Sequence, residues 1–424
     1  MKLIDLEGKK IVLGVSGSIA AYKACELARA FVRSGADVHV VMSEAAERFV
    51  SPLTFEALTG NEVLSSSSES WSRGLNHIEI SRGADLFVIA PATANTINKL
   101  SKGIADTILL QSALAWKGAL VIAPAANSRM LQNHYTEGSL KMLLVNDCTI
   151  VSAQSKRLAC NEEGNGALAQ VQEIYWQSCR EIYKKSFWED RKVVVTGGGT
   201  REAIDSFRYV SNRSSGKMAR ELATALYLRG ADVCLVTTAL FDDIPQDIYT
   251  IVVESAEEML EYTVDAVRVA KKGKMSRASM NRSEPVSLVR KRPYLFMAAA
   301  VSDYRPLYAQ EGKLKKSELG ERWSLEMTEN PDILKSVDKN NLVTVAFKAE
   351  SDADKGPQNA RSLLKDKEVD AVCYNHIADS SAFGGDENEV LFIYENGEKL
   401  LPRADKFTIA AQIVEASEAL CDES

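Results

Sequence analysis

A chain of 424 residues is well beyond the ~150 of one ordinary domain, which excludes a single core and points to two or three domains. Hydrophobic residues at 46% and charged residues at 26% exclude wholesale disorder, and no apolar run reaches the ~18 residues of a membrane span. A formal net charge of −7 argues against a general nucleic-acid binder, which must neutralise phosphates. The start MKLIDLEGKK is charged throughout and shows no signal-peptide pattern. Seven cysteines, an odd number with no C-x-x-C pair, read as reduced thiols of a cytoplasmic protein and not as a disulfide framework or zinc site.

In chain order, Lys9–Ser16 (KKIVLGVS) is a β-branched run entering a glycine turn, and Arg191–Gly198 (RKVVVTGG) repeats the pattern. The echo continues. Glu26–Val41 (ELARAFVRSGADVHVV) and Glu221–Val236 (ELATALYLRGADVCLV) agree at nine of sixteen positions, each reading as an amphipathic helix, a glycine stop and a second strand. Ala84–Ala90, Gly118–Ala123, Pro293–Val301, Leu342–Phe347 and Val369–Tyr374 supply further apolar strands. The predicted fold is α/β: two tandem Rossmann-like, doubly wound parallel-sheet domains, 1–188 and 189–424, joined after an aromatic, polar closing helix in 170–190. Lys271–Arg292 is a basic, serine-rich stretch that reads as a loop or flap. In open α/β sheets ligands sit beyond the carboxyl ends of the strands, so chemistry is sought there.

At the first strand end, Gly14–Ile19 with Gly17, Ser18 and Ile19 forms a glycine/serine turn before a helix, whose N–H groups suit a phosphate. Ser43 follows the second strand with no acid at its tip for a ribose hydroxyl, which favours a mononucleotide such as FMN over NAD. Pro91, Ala92, Thr93 and Asn95 offer small side chains, a hydroxyl and an amide to a flat ring; an ordinary helix turn capped by Asn95 accounts for them equally well. Of four histidines, His77 is a candidate general base, with a helix-capping role as the plain alternative. Cys160, among charged and glycine residues, fits a mobile segment.

The segments GSIAAYKA, Leu75–Ile78, Pro91–Leu110, Pro124–Met130 (PAANSRM) and LACNEEGNG occur in the order found in flavin-dependent cysteine decarboxylases, and residues 8–170 resemble phosphopantothenoylcysteine decarboxylase. The resemblance implies His77 as base, Asn127 as the substrate-carboxylate contact and Cys160 as the closing proton donor. It also implies flavin sites between subunits of a trimer. Flavin first takes the thiol to a thioaldehyde, whose C=S accepts the electrons released with CO2; the enethiolate is then reprotonated and reduced. Two departures from the family stand out: Ala126 replaces the methionine before Asn127, and Leu131 replaces a tryptophan.

In the second half, Thr196–Glu202 (TGGGTRE) forms another anion-friendly turn, and Arg208–Met218 (RYVSNRSSGKM) brings serines, a glycine and a lysine to a helix start without Walker A spacing. A capped helix with a solvated lysine explains the same residues. Ala298, Ala299, Ala300 and Asp303 end a strand with a carboxylate suited to a metal-bridged triphosphate, and Lys313 opens the KLKK run. With Asn330, Pro331, Asp332, Ile333 and the AFKAE run at Phe347, these motifs resemble phosphopantothenate–cysteine ligase over 190–412. That family activates 4′-phosphopantothenate with CTP as an acyl-cytidylate, which the amine of cysteine attacks. The resemblance implies Asn212 at the acyl-cytidylate and Lys313 at the developing charge. It gives Ala298–Ala300, Asp303, Asn330–Ile333, Phe347 and Lys367 to CTP, with Mg2+ or Mn2+ at Asp303 and paired ligase domains. Leu363 stands where the family has a lysine four residues before Lys367.

Overall fold

The structure, a computed structural model, describes residues 3–157, 163–276, 278–281, 285–352, 354–376 and 384–421. The chain divides into two compact units, residues 1–183 with 277–287 and residues 184–276 with 288–424. That division falls after Tyr183, a few residues before the boundary expected from composition. Trp188 is wholly buried and packs edge-on to Tyr294 of its own unit at 4.9 Å. No helix among the described residues is long and apolar enough to cross a membrane.

In the first unit, strands Asp37–Met42, Lys10–Val15, Leu86–Ala92, Leu120–Pro124 and Thr149–Ile150 lie side by side in that order, all parallel. This is the 2-1-3-4-5 order of a flavodoxin-like sheet, whose switch point lies between the first and third strands. A parallel sheet covered on both faces needs near-continuous apolar strands, and Ile11, Val12, Leu13, Phe87, Val88 and Ile89 are fully buried. The helix Ala21–Arg33 covers one face through Ala24, Leu27, Ala28 and Phe31, spaced three and four apart. Residues 278–281 of the basic insertion belong to this unit. Ser279 Oγ and Asn281 Nδ2 donate to Asp147 Oδ2 at 2.8 and 2.9 Å.

The second unit holds an eight-stranded sheet among the described residues. Strands Tyr249–Val252, Asp232–Thr237, Lys192–Gly197, Tyr294–Met297, Val343–Glu350 and Ala371–His376 run parallel in the order 3-2-1-4-5-6. Glu387–Tyr394 and Gly397–Asp405 then add an antiparallel hairpin, so this sheet is mixed where a purely parallel one was expected. The hairpin turns at Glu395 and Asn396, between the paired Tyr394 and Gly397, and the Asn-Gly dipeptide between two strand runs was the sequence signal for it. The echoed glycines play one role twice. Gly35 (φ +90) and Gly230 (φ +100) turn the chain out of its helix, and a Cβ on either would press on backbone, Glu7 or Glu189, at 3.2 to 3.3 Å.

Candidate active sites

The carboxyl ends of the first sheet open onto a cavity of about 1090 Å3. Gly17, Ser18, Ile19, Ser43, Thr93, Asn95 and Asn127 all line it, joined by Ala94, Ala125, Ala126 and Gly166. Pro91 and Ala92 lie beneath, buried in their strand. Sequence reasoning missed Ser16, which ties the two loops together: its N–H and hydroxyl donate to the Pro91 carbonyl at 3.2 and 2.7 Å, and its Oγ accepts from Thr93 N at 3.0 Å. The helix Ala94–Leu100 is capped by Thr93, whose Oγ1 accepts from Thr96 N at 3.3 Å, so Asn95 is not the cap. Gly17 has no room for a side chain, because a Cβ there would stand 2.4 Å from that of Ala45.

Three features of this wall suit a flat ring carrying a phosphate. Ser43 Oγ is buried without a hydrogen-bond partner among the described residues, a costly state that a polar ligand atom would relieve. Ile19 is 62% exposed on the wall, apolar surface for a ring to cover. The helix Ala21–Arg33 begins without a side-chain cap or an acidic first turn, leaving its N–H dipoles to an anion.

Asn127 caps the short helix Ser128–Leu131, and its Oδ1 accepts from Arg129 N at 2.9 Å, which sets the amide plane. The backbone hydrogen bond from Ala126 N to Gly166 O (3.1 Å) ties that loop to the hairpin Gln154–Arg157 and Glu163–Ala167. Cys160 lies outside the described residues. Burial pushes the thiols of Cys148 and Cys179 up to about 11 and 12, marking them as packing groups.

His77 is not on the cavity wall of its own chain. Its Nδ1 faces Glu69 Oε1 at 3.2 Å and its ring stands edge-on to Trp71 at 5.6 Å, so a carboxylate and an indole fix the imidazole and leave Nε2 for chemistry. The buried Asn76 holds the turn, its Oδ1 accepting from Ile78 N and Glu79 N. Glu69 and Trp71 carried no local signal, because they reach His77 only across a turn.

In the second unit a cavity of about 230 Å3 is lined by Ala298, Ala299, Ala300 and Phe347 with Ser214, Ser215, Gly216 and Lys217. The glycine turn clamps the alanine run: Ala300 N donates to Gly198 O at 2.8 Å, and Thr196 and Thr200 hydroxyls accept from Ala299 N and Ser302 N. Asn212, Asp303, Lys313, Asn330, Pro331, Asp332, Ile333 and Lys367 do not line that cavity. They form neighbouring groups. Asn212 Nδ2 donates to Val301 O at 2.9 Å, while Asn330 donates through its N–H to Asp303 O and through Nδ2 to Ser302 O, both at 2.8 Å.

Asp332 caps the turn Ile333–Ser336 and pairs with Lys367. Burial works against that carboxylate, but the Lys367 hydrogen bond and the Lys335 N–H hold it below its ordinary range. Ile333 belongs to the apolar core, and Leu363 packs on the cluster around Ala346 and Val372. Leu363 is therefore a packing residue. Lys313 is exposed, 5.5 Å from the centre of the Phe207 ring, on a segment pinned to the buried Asp205 by Leu314 N (3.1 Å) and by Arg208. Among the described residues no three His, Cys, Asp or Glu side chains gather into a metal-ligand cluster. A cation that arrives on phosphates needs as little as one protein carboxylate.

Two nucleotide-type sheets in tandem, each with a cavity beyond its strand ends, define a two-domain α/β protein of the class that takes ligands at the carboxyl ends of its strands. The Flavoprotein family matches residues 2–182, and the family described as DNA/pantothenate metabolism flavoprotein C-terminal domain matches residues 188–278 and 263–420. Proteins named Coenzyme A biosynthesis bifunctional protein CoaBC are similar over nearly the whole length. Those of Vibrio vulnificus and Haemophilus influenzae are each 34% identical, over 98% and 97% of both chains, and that of Bacillus subtilis is 33% identical over 98% of both. A solved PPC decarboxylase variant is 34% identical, covers 40% of this chain and 95% of its own, and has a TM-score of 0.36. The chain belongs to this family of bifunctional coenzyme A biosynthesis enzymes.

Proposed function

We propose that the second unit joins cysteine to 4′-phosphopantothenate with CTP, and that the first unit decarboxylates the resulting 4′-phosphopantothenoylcysteine to 4′-phosphopantetheine with bound FMN. The observation that carries the reading is the first cavity, where an unpartnered buried hydroxyl (Ser43), a capless helix start and Asn127 share one wall. Gly17, Ser18, Ile19, Ser43, Thr93 and Asn95 hold the FMN, whose bound flavin supplies two-electron exchange at the sulfur-bearing carbon. Asn127 binds the carboxylate that leaves as CO2. His77, oriented by Glu69, takes a proton through Nε2, and Cys160 returns one to the product carbon. His77 stands off its own chain's cavity, which favours a site completed by a neighbouring copy, in trimers of first units with second units pairing.

In the second unit Ala298–Ala300 and Phe347 hold the nucleotide, with Asp303, Asn330–Ile333 and Lys367 in the adjoining groups. Asp303 would hold the Mg2+ or Mn2+ of the metal–triphosphate complex, which would neutralise phosphate charge there. Lys313 stabilises charge growing at the α-phosphate, and Asn212 holds the acyl-cytidylate until the amine attacks.

The purified protein should carry a yellow flavin absorbance, release pyrophosphate from CTP only with 4′-phosphopantothenate present, and release CO2 once cysteine is added. Mixing His77→Asn with Asn127→Asp protein should restore CO2 release if copies share a site. Colourless protein that cannot be loaded with FMN sinks the first half; pyrophosphate release indifferent to 4′-phosphopantothenate sinks the second.

A further inference from the structure

The cavity at the start of helix Lys217–Leu228 is ringed by four cationic side chains, Arg213, Lys217, Lys348 and Lys406. Like charges around about 230 Å3 repel one another and need anions close by. Lys217 needs one doubly: it is the first residue of a helix with no acid in its first turn, where the backbone dipoles already present positive charge. The nearby Arg220 offers no relief, being paired with Glu221 and Asp243 at 2.7 and 3.1 Å.

One turn of chain meets that need. Lys217 Nζ donates to the Gly384 carbonyl at 2.9 Å and to Asp386 Oδ1 at 2.7 Å, and Lys406 Nζ donates to the Gly385 carbonyl. Gly384 takes the left-handed backbone (φ +80) in this turn. Lys348 is matched separately by Glu350 at 3.2 Å. Burial and the neighbouring Lys217 lower the Lys406 ammonium from its ordinary range, so the turn leaves that charge incompletely compensated. The Asp386 side chain is 88% exposed, and solvated ion pairs of that kind are weak enough to exchange.

We propose that the Gly384–Asp386 turn is an internal stand-in for nucleotide phosphates: Asp386 and the two glycine carbonyls occupy Lys217 and Lys406 until a triphosphate displaces them, so Asp386 sets nucleotide affinity by competition. This rests on reading the cavity as the CTP site. Lys217 and Lys406 are then phosphate ligands, a role beyond that of Ala298–Ala300 and Phe347. A neutral ligand that lacks phosphates gains nothing from the exchange, which makes the device selective for charge.

The test is titration calorimetry of the full-length protein with CTP, cytidine and inorganic pyrophosphate. Lys406→Met and Lys217→Met should each weaken CTP and pyrophosphate by about 10- to 100-fold, the range of a charge-assisted hydrogen bond, and leave cytidine unchanged. Asp386→Asn should tighten CTP and pyrophosphate by about two- to fivefold, the worth of an exposed ion pair, again without moving cytidine. Asp386→Ser repeats the test at a different side chain, with thermal melting to show that each variant folds. Unchanged or weaker CTP binding by folded Asp386→Asn and Asp386→Ser overturns the competition while leaving the CTP site standing, and so does failure of both to fold, which would make Asp386 a structural counter-ion. Wild-type protein that binds neither CTP nor pyrophosphate overturns the nucleotide reading itself.

Discussion

The two cavities both lie where a helix starts beyond a strand end, yet they differ in size and charge. The first, about 1090 Å3, offers an orphan serine hydroxyl, exposed isoleucine and bare helix dipoles; the second, about 230 Å3, is ringed by four cations, three of them already matched by chain atoms. Shape and dipoles suit a flat ligand that stays, whereas dense charge with exchangeable partners suits a polyanion that comes and goes. On the proposed reading the first site keeps a cofactor and the second turns over a nucleotide.

The sharpest way to break this separation is a change in one site that reaches the other. His77→Asn should lower CO2 release by about 10²–10⁴-fold, the usual share of a general base, with flavin absorbance and CTP-dependent pyrophosphate release unchanged. A parallel fall in pyrophosphate release would show that the sites are not separate. Lys313→Gln is the counterpart: turnover of the ligation should drop about 10²–10³-fold with little change in KM for CTP, because a charge acting in the transition state leaves ground-state binding alone. A rise in KM with turnover intact would return Lys313 to substrate binding.

Smaller effects sharpen the comparison. A Cβ on Gly166 would stand 2.0 Å from the Ala126 carbonyl oxygen, so Gly166→Ala must push the hairpin off the Asn127 loop. CO2 release should fall about tenfold, the scale of a misplaced binding group, with flavin retained. Loss of flavin instead would mark Gly166 as part of the cofactor wall alone.

Asp205→Asn should loosen the Lys313 segment and lower ligation modestly, about threefold to tenfold. The Arg208 hydrogen bond, aided by backbone N–H groups, holds the Asp205 carboxyl far below the ordinary carboxylate range despite its burial. A depressed carboxyl contributes its full stability above the unfolded value of about 3.9 and loses it as pH falls through the folded one. Wild type should therefore melt higher than Asp205→Asn between pH 5 and 8, with the gap closing only below about pH 4. A gap that is constant with pH would rule out the ionised carboxylate as the anchor.

The sequence alone determined the parallel strands, the glycine stops and the glycine turns at strand ends, because each depends on residue type and short-range spacing. KKIVLGVS and RKVVVTGG become first strands since β-branched runs suit buried parallel sheets, and Gly35 and Gly230 turn left-handed since other residues resist that backbone. Tertiary structure alone decided which strand-end residues share a cavity. Asn127 joins Ser43 and Thr93 across the sheet, while Asp332 and Lys367 meet outside the second cavity, and these are long-range contacts set by strand order. It also placed Lys406 and the Gly384–Asp386 turn beside Lys217, although nearly half the sequence separates Lys217 from Lys406. It laid the partly buried Leu363 against the core and set Glu69 against His77, for no local pattern encodes which way a side chain faces once the sheet has formed.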